Sequence, residues 1–535
     1  MDPIHFTSDS MKVYSESNKL QEMTLIIIVI SLLILYMVVQ LAAKRYFVKV
    51  KFRSITKPEG KKNRWDKIPR YPIWKAIWLC KDQKSIIQSA RRLSAEYGPL
   101  LRVTGFGQEY VVLHTPELAE KILSSRDLRH TVKPPQLYGP IIDMIGEGVF
   151  ASNGELWHSR RKTLSKAFTN PALKRYIQIY NKSAKRLVAQ LTNVFRKDDK
   201  EYHQINFAIQ ASGFEIIAET VLGLDVTQYK KDTEIMFTSV NRWRQIAFER
   251  LSSGWFVLPQ FLRWSSVSGE YNRTITNIED VIKRMIKRYR DERQESKLGS
   301  NNTESFDNMM ELMIKSGLNE SEILNEVKTM IMAGYETVSA TIHILLFMLA
   351  SNQTHQILCR EEVDRIFGDP AKCVNAELTM DALSEMKYVE RCLLESMRMF
   401  PISYMTARKL ETPLLLDDDL EVPSGTTVVL PTIILHRSPN LFPQPDEFQP
   451  DRFLPENCAK RRAYTYLPFS AGPRICIGLK FAILEAKTIV AHILREFEIY
   501  TCDKIDDVPI IPSVLLRPER DFYFRLEKRN VKPSI

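Results

Sequence analysis

Cys476 lies in a short, glycine-flanked loop that leads directly into a helix-forming run. Gly472 stands four residues before the cysteine and Gly478 two residues after it, while Arg474 and Phe469 complete the pattern. Glycine permits backbone turns that other residues rarely follow. Such a loop can direct backbone N–H groups at the sulfur, and the following helix presents its positive end there. This environment favours a thiolate, the form of cysteine that binds metals.

A single thiolate narrows the kinds of metal site that the loop could serve. Structural zinc and iron–sulfur clusters need about four protein ligands, whereas haem iron takes one axial thiolate, which favours O–O cleavage. A buried structural cysteine in a glycine turn is the alternative. The spacing Phe-x-x-Gly-x-Arg-x-Cys-x-Gly is matched at every fixed position and resembles the haem-binding loop of cytochrome P-450 monooxygenases. The resemblance implies haem b, with Cys476 as the axial ligand of its iron.

A long helix is predicted from about Glu322 to Ala350, with Asn319 and Ser321 before it as candidate caps. Gly334 lowers helix stability by about 0.8–1.0 kcal/mol relative to alanine, but it lets a bulky group such as a cofactor approach the backbone. Glu336 and Thr337 place a carboxylate beside a hydroxyl, a combination suited to proton delivery. They resemble the catalytic acid–alcohol pair of the same family. The alternative is a glycine kink with a helix-bonded threonine.

Two glutamate–arginine pairs with i, i+3 spacing occur in the second half of the chain. We interpret Glu362 and Arg365 as a solvated surface pair. Glu395 and Arg398 precede a proline and the cysteine loop, as the resembled family requires. The resemblance implies that these two residues and Arg452 form a buried ionic triad with a structural role. Buried charges of this kind are tolerated only when hydrogen bonds satisfy each of them.

The resemblance also assigns residues around the haem. The propionate groups of the haem would be held by Trp157, Arg161, Arg408 and Arg474. Arginine suits such a role because its planar fork is always charged and matches a carboxylate. Phe469 would shield the cysteine sulfur from water.

Two segments, 146–150 and 468–474, resemble the animal family-four branch, including its insect members. That branch includes fatty-acid ω-hydroxylases. Many of its members carry a glutamate just before the helix glycine that can esterify the haem. This chain has Ala333 at that position, so we expect the haem to be held non-covalently. Fatty acids, sterols or hormones, and xenobiotics are all candidate substrates.

Leu25–Ala43 is an uncharged run of 19 residues, close to the roughly 20 that a helix needs to cross a bilayer. Residues 1–23 carry a net charge of −2, and residues 44–70 carry +9. A cleaved signal peptide would have a basic start and a shorter apolar core. The positive-inside rule therefore predicts a lumenal N-terminus (1–23), a transmembrane signal anchor (24–43), a basic juxtamembrane linker (44–70) and a cytosolic catalytic domain (71–535). We expect this topology in the endoplasmic reticulum membrane.

The composition is that of a large globular body, with 44% hydrophobic and 26% charged residues in 535. Of the net charge of +11, only +4 remains beyond residue 70. Nucleic-acid binding is therefore not predicted, and the basic excess suits an anionic membrane surface. Seven scattered cysteines indicate reduced thiols. Helical periodicity dominates, with short strand-like runs at 100–104, 110–114, 426–430 and 522–526, so the predicted fold class is mainly α with small β-sheets.

The predicted activity is a membrane-anchored monooxygenase that acts on a lipophilic substrate. Its electrons would come from NADPH through a separate NADPH–cytochrome P-450 reductase, with cytochrome b5 as a further candidate donor. The alternatives are a haem-thiolate isomerase or dehydratase without electron input and a non-enzymatic haem or lipid binder. The Glu336–Thr337 pair disfavours both. A basic docking patch, or alternatively plain surface charge, is predicted at Lys166, Lys460, Arg461, Arg462 and Lys480.

Overall fold

The computed structural model describes residues 63–72, 83–105, 108–195, 201–252, 267–296 and 308–530. The predicted lumenal segment, the membrane anchor and most of the basic linker lie outside these residues. The chain divides into two compact units, one made of residues 1–63 with 104–108 and one of 64–103 with 109–535. Every residue of the candidate site belongs to the second unit.

Helices account for most of the described structure, as the sequence predicts. In chain order they are α1 (Gln83–Tyr97), α2 (Pro116–Leu123), α3 (Pro135–Ile145), α4 (Gly154–Leu164), α5 (Asn170–Val194), α6 (Asn206–Leu222), α7 (Lys230–Ser252), α8 (Ser268–Ser296), α9 (Met309–Lys315), α10 (Glu320–Ser351), α11 (Gln353–Phe367), α12 (Met380–Glu385), α13 (Lys387–Met399), α14 (Thr432–His436), α15 (Pro455–Lys460) and α16 (Leu479–Glu496).

The strands are short. In chain order they are β1 (Arg70–Pro72), β2 (Leu100–Gly105), β3 (Gln108–Leu113), β4 (His203–Gln204), β5 (Cys373–Val374), β6 (Glu377–Leu378), β7 (Thr406–Lys409), β8 (Leu414–Asp417), β9 (Leu420–Val422), β10 (Thr427–Leu430), β11 (Phe497–Thr501), β12 (Ile510–Pro512), β13 (Leu516–Pro518) and β14 (Tyr523–Lys528).

One sheet has five strands, in the order β1–β2–β3–β10–β7. Strand β10 runs parallel to β3 and antiparallel to β7, so Val428 lies between Val111 and Arg408. A second sheet has the order β11–β14–β4, and three further pairs are β12–β13, β5–β6 and β8–β9. The fold is therefore mainly α with small sheets, and strand β7 carries one of the predicted haem-side arginines.

Helix α10 passes through the core and is the longest helix of the described residues. Asn319 caps it, because its side chain accepts from the backbone of Glu322 and the Glu322 carboxylate accepts from the backbone of Asn319. Within the described part of the chain it is the one helix long and apolar enough to span a membrane. However, 72% of its apolar stretch is buried inside the protein. Its apolar character therefore serves the core.

The cysteine loop precedes α16, and α16 packs against both α5 and α10. Phe481, in the first turn of α16, makes edge-on ring contacts with Phe168, Tyr176 and Tyr180 at centroid distances of 6.2, 5.9 and 5.2 Å. Edge-on aromatic pairs add stability beyond the area that they bury. This cluster fixes the start of α16, and with it the position of the cysteine.

Candidate active site

The first glycine of the cysteine loop is required by its geometry. Gly472 has φ +69°, and a Cβ atom there would lie 1.7 Å from the carbonyl oxygen of Leu123. Any side chain would therefore meet a backbone that cannot yield. After the short turn Gly472–Arg474, the backbone N–H of Cys476 donates to the carbonyl of Phe469 at 3.0 Å. The loop closes on itself and holds the cysteine at its exit.

The second glycine has a different role from the one predicted. Gly478 has φ −88°, a value open to any residue, so the expectation that it permits an unusual backbone turn is wrong. Its N–H hydrogen-bonds to the sulfur of Cys476, and a Cβ atom there would lie 4.0 Å from that sulfur. Gly478 therefore caps α16 and keeps one side of the sulfur uncrowded.

The thiol of Cys476 is accessible on one side, although protein surrounds the rest of it. Burial raises the pKa of the Cys476 thiol, and the Gly478 N–H together with the charges of Arg161 and Lys133 acts in the opposite direction. The net direction is upward, so the expectation that the loop by itself favours a thiolate is wrong, and a cation bound at the sulfur would be needed to favour it. The thiol is therefore open to a ligand, unlike the buried thiols of Cys359 and Cys392.

Four basic side chains form one electrostatic group: Lys133 and Arg161 act on this sulfur, and Arg408 and Arg474 act on Lys133. Three of them were predicted, and the lysine was not. Burial lowers the pKa of each, and the neighbouring positive charges lower it further for Lys133 and Arg474. Among the described residues, none of the four has an ion pair with a carboxylate. Buried cations without anions are costly, so the arrangement calls for an anionic ligand.

Arg474 shows this most clearly. Its Nη2 atom donates to the carbonyl of Ser152 at 2.8 Å and to Oδ1 of Asn153 at 3.1 Å, and its guanidinium lies 4.1 Å from the ring centroid of Trp157. Its Nε and Nη1 atoms are buried and have no hydrogen-bond partner in the described structure. Burial and the neighbouring arginines lower the pKa of Arg474 to about 9. Two buried donor atoms of Arg474 are therefore without an acceptor in the described structure.

Lys133 is the residue that the sequence reasoning missed. Its Nζ atom lies 3.1 Å from the ring centroid of Phe150 and 4.9 Å from that of Tyr138. Aromatic faces attract cations, but they do not neutralise them. No periodicity or motif marks Lys133, because it lies outside any helix or strand, just before two prolines. Its electrostatic interaction with Cys476 is evident only in the folded chain.

The central helix places the predicted proton-transfer residues as follows. The Thr337 hydroxyl donates to the carbonyl of Ala333 at 2.7 Å, and both residues lie on an accessible side of α10. The Glu336 carboxylate is nearly buried and accepts from Nη1 of Arg244 in α7 at 2.6 Å. The described structure therefore contains no direct hydrogen bond between the side chains of Glu336 and Thr337. Arg244 is a second residue that the sequence did not reveal.

The expectation that Gly334 makes room for a cofactor needs correction. A Cβ atom at Gly334 would lie 2.5 Å from Cγ1 of Ile217 in α6. From the other helix, a Cβ atom at Gly213 would lie 2.6 Å from Oγ of Ser339. The bulky neighbour is therefore another helix. The two glycines let α6 and α10 pack closely, which compensates for their lower helix propensity.

The structure brings Glu395, Arg398 and Arg452 together. Arg398 donates through Nε and Nη2 to both carboxylate oxygens of Glu395, at 2.7 and 2.9 Å, and Arg452 donates from Nε at 3.2 Å. Neither Glu395 nor Arg398 has exposed surface. Arg398 also donates to the backbone carbonyls of His436, Pro445 and Glu447.

The interpretation of Glu362 and Arg365 as a surface pair is wrong. Glu362 accepts hydrogen bonds from the backbone N–H groups of Lys387, Tyr388 and Val389 at 2.8–3.0 Å, so it caps the first turn of α13 from α11. Arg365 instead pairs with Glu385 at 3.6 Å. A carboxylate at a helix N-terminus is stabilised by the free N–H groups there.

Comparison with known families decides the identity of the fold. The cytochrome P450 family profile matches residues 67–525. The chain belongs to the cytochrome P450 family. It is 30% identical over 468 residues to the probable cytochrome P450 4aa1 of Drosophila melanogaster, covering 86% of this chain and 89% of that protein. Cytochrome P450 4V2 of Homo sapiens is 29% identical with the same coverage, and cytochrome P450 4c3 of D. melanogaster is 31% identical over 443 residues, covering 78% of this chain and 80% of that protein.

These relatives place this P450 in the family-four branch and identify it as a haem-thiolate monooxygenase. The site fits haem on its own evidence. Cys476 offers one open thiol, and two donor atoms of Arg474 are buried without an acceptor. The four carboxylate-free cations would match the two propionate groups. The P450 would thus hold haem through Cys476 on one side and through Lys133 and the three arginines at its edge.

Proposed function

We propose that this P450 inserts one oxygen atom of O2 into a lipophilic substrate, using electrons from NADPH that a separate reductase relays. The observation that carries the proposal is the arrangement on the central helix. Thr337 lies on an accessible side of α10, and the adjacent Glu336 is held by Arg244. A hydroxyl backed by a carboxylate is useful for proton delivery. An isomerase or a carrier would not need it.

The haem, when bound, supplies the redox iron at which O2 is reduced. The protein's own residues then manage protons and orientation. The Thr337 hydroxyl holds its proton against the carbonyl of Ala333, and rotation about its Cα–Cβ bond releases that proton for donation. Glu336 resupplies it after leaving Arg244 and taking up a proton from solvent. Cys476 would hold the haem iron, and Lys133 would help to hold the haem.

Reconstitution with NADPH and a reductase tests this function. We expect NADPH-dependent oxidation of at least one compound in a panel of fatty acids, sterols and xenobiotics, each of which is a candidate substrate class. Cys476→Ser should abolish both the reaction and the thiolate-type Soret band of the reduced carbon-monoxide complex. Product formation from organic peroxides without NADPH would favour the isomerase or dehydratase alternative. Substrate binding with no product in either assay would favour a carrier.

The proposal includes attachment to the endoplasmic reticulum membrane with the catalytic domain in the cytoplasm. Its support is the uncharged run 25–43 and the net charge of +9 in residues 44–70. Deletion of residues 1–43 should move the protein out of the fraction that resists alkaline extraction from microsomes. In the full chain, added protease should digest the catalytic domain of intact microsomes. Protection of that domain would contradict this topology.

We further propose that the haem is held without a covalent bond, because Ala333 occupies the accessible position before Gly334. Acidic organic solvent should therefore extract all of the haem. Haem that stays with the polypeptide would contradict this assignment. Introducing a carboxylate through Ala333→Glu provides the matched variant, in which a retained fraction is expected.

The proposed docking surface for the reductase is narrower than the sequence suggests. Arg462 pairs with Glu117 at 2.8 Å and with Glu120 at 3.1 Å, and the guanidinium of Arg461 lies 4.6 Å from the ring centroid of Phe453. These two arginines are therefore engaged within the protein. The side chains of the remaining lysines are exposed, and they define the lysine patch: Lys166, Lys460 and Lys480.

A further inference from the structure

His436 ends helix α14 and has no exposed surface. Its ring stacks on Tyr466, with centroids 5.0 Å apart and planes 28° from parallel, and it meets the edge of Phe442 at 6.3 Å. Burial, and secondarily the charge of Arg398, lower the pKa of His436 to about 3. The ring is therefore neutral at physiological pH.

The polar contact of this ring is with the backbone before the cysteine loop. The N–H of Leu467 donates to Nε2 of His436 at 2.8 Å, and the bond is buried. A backbone N–H can only donate, so Nε2 accepts and the ring proton sits on Nδ1. Nδ1 makes no hydrogen bond of standard geometry within the described structure, but the backbone of Met397 and of Arg398 in α13 acts on the ring as an acceptor. The Nε2 side of the ring thus holds the backbone of Leu467.

Leu467 lies at the start of the segment that leads to Cys476. Its carbonyl accepts from the N–H of Ser470 at 3.1 Å, and two residues later the carbonyl of Phe469 accepts from the N–H of Cys476 at 3.0 Å. Ser470 and Gly472 both have positive φ values, +60° and +69°. A backbone held in this region is strained at a non-glycine residue and persists only when its surroundings fix it. The bond to His436 supplies one such constraint at the start of the loop.

The backbone of the same histidine is bonded to the ionic triad. The carbonyl of His436 accepts from Nη1 of Arg398 at 2.9 Å, and Arg398 grips Glu395 with two further bonds. Tyr466, which stacks on His436, makes a second connection to helix α13, because its hydroxyl donates to the carbonyl of Leu394 at 2.7 Å. His436 therefore joins the triad to the loop through two atoms of one residue, its carbonyl oxygen and Nε2.

We propose that His436 is a positioning residue for the thiolate ligand. Its Nε2 atom fixes the start of the cysteine loop against helix α13 and so sets where the Cys476 sulfur meets the haem. The inference rests on the haem-thiolate site, but not on the substrate or the electron donor. Removing the acceptor leaves the buried Leu467 N–H without a partner, and the loop then relaxes to find another.

Two substitutions separate the acceptor from the ring. His436→Phe keeps an aromatic surface for Tyr466 and removes the acceptor, whereas His436→Gln removes the ring and retains an oxygen acceptor at similar reach. In the full-length holoprotein we expect His436→Phe to lose most of its thiolate-type carbon-monoxide band. Haem transfer to an apo-globin acceptor should be about tenfold faster, as expected for one lost buried hydrogen bond. His436→Gln should keep most of the band.

A second buried histidine provides the control. His492 in α16 lies within hydrogen-bond distance of Oδ1 of Asn181, at 3.0 Å, and meets the edge of Phe367. His492→Phe should lower the thermal midpoint about as much as His436→Phe, yet leave the carbon-monoxide band unchanged. A wild-type band and haem-loss rate in His436→Phe would overturn the proposal, as would an equal loss of the band in His492→Phe.

If His436→Phe does not accumulate, His436→Gln and His436→Met decide the question, because these side chains have similar length and only glutamine presents a strong acceptor. Slower haem loss from the glutamine variant supports the proposal, and equal rates overturn it. Absence of a thiolate-type band in the wild-type protein would instead contradict the haem-thiolate assignment itself. The two failures are therefore distinguishable.

Discussion

Two buried glutamates, Glu395 on helix α13 and Glu326 on the central helix, are supported very differently. Glu395 accepts two bonds from Arg398, one from Arg452 and one from the backbone of Gln449, at 2.7–3.2 Å. Both of its oxygens are bonded to donors, and two of its partners carry full positive charge. The carboxylate is therefore well stabilised, although it has no contact with water.

Glu326 is equally buried but has weaker support. One oxygen accepts from the backbone N–H of Val149 at 2.9 Å, and the other lies 3.5 Å from Arg160. Arg160 makes its shorter ion pair, at 2.6 Å, with Glu322. Burial raises the pKa of Glu326 to about 7. The carboxyl therefore gains a proton near neutral pH.

The surroundings of Glu395 and those of Glu326 on the central helix are therefore suited to different roles. Around Glu395, the carboxylate is paired with Arg398 and Arg452 in a buried network that also bonds the backbone of His436. Around the central helix, Glu326 has a raised pKa and Glu336 is paired with Arg244 alone among the described arginines. A site that must hold a metal ligand still and move protons nearby needs both kinds of environment.

The largest effect is expected from Glu395→Ala. Removing this carboxylate leaves Arg398 buried and unpaired, which costs about 3–5 kcal/mol, and we expect the variant to fail to incorporate haem. The matched control is Glu362→Ala, which removes the glutamate of the other i, i+3 glutamate–arginine pair. Loss of that helix cap should cost about 1 kcal/mol and leave haem content unchanged. Haem content per folded protein measures both, and a fully loaded Glu395→Ala protein would contradict the structural role of the triad.

Stability should depend on pH through Glu326. Its pKa is raised from 4.5 in the unfolded chain to about 7 in the folded one, so the folded state binds the proton more tightly. The resulting stabilisation is fully present below pH 4.5, falls as pH rises, and is gone above about pH 7. The shift corresponds to about 3 kcal/mol.

Glu326→Gln should remove this dependence, because the amide oxygen can still accept from Val149 and no charge forms. Denaturant unfolding at several pH values between 5 and 8 compares the two proteins. The stability difference in favour of the variant should grow from pH 5 to about pH 7 and then level off. Parallel curves for the two proteins would show that Glu326 does not titrate there.

Sequence reasoning succeeded where the relevant residues are close in the chain or belong to one motif. The bounds of α10 were predicted to within two residues, because the helical periodicity and the Asn319 cap are local signals. The turn at Gly472 was predicted for the same reason. Glu395 and Arg398 meet because three residues separate them on one helix.

The remaining features depend on tertiary packing. Arg244 lies 92 positions from Glu336 and has no motif of its own, and Lys133 reaches the sulfur only through the folded chain. Gly334 looked like a cofactor contact because the sequence does not show which helix will pack against it. Its partner is Ile217. The sequence likewise does not show whether a glycine is present for its small size or for an unusual φ. At Gly478 the φ value is ordinary, and the small size leaves room beside the sulfur.

Substitutions in the ion pair between Arg244 and Glu336 test whether the central helix transfers protons. Arg244→Met removes the partner that holds the carboxylate but keeps the carboxylate itself, so we expect about a tenfold lower yield of product per NADPH, less than the roughly 10²–10⁴-fold contribution of an acid–base group. Glu336→Gln should act in the same direction, and the double variant should be no worse than the more severe single one. If both single variants lower the thermal midpoint but leave the product yield intact, the pair is only structural.

The smallest effect is expected at the lysine patch, because exposed charges are screened by salt and contribute mainly to the rate of encounter. Reversing the three charges through Lys166→Glu, Lys460→Glu and Lys480→Glu should slow reduction by the reductase severalfold at low salt, and added salt should remove much of the difference. The control is Arg462→Gln, whose positive charge is already offset by Glu117 and Glu120. An equal effect from this arginine would mean that general surface charge, and not the lysine patch, attracts the reductase. None of these changes should alter the carbon-monoxide spectrum, since the lysines do not contribute to the bonds that hold Cys476.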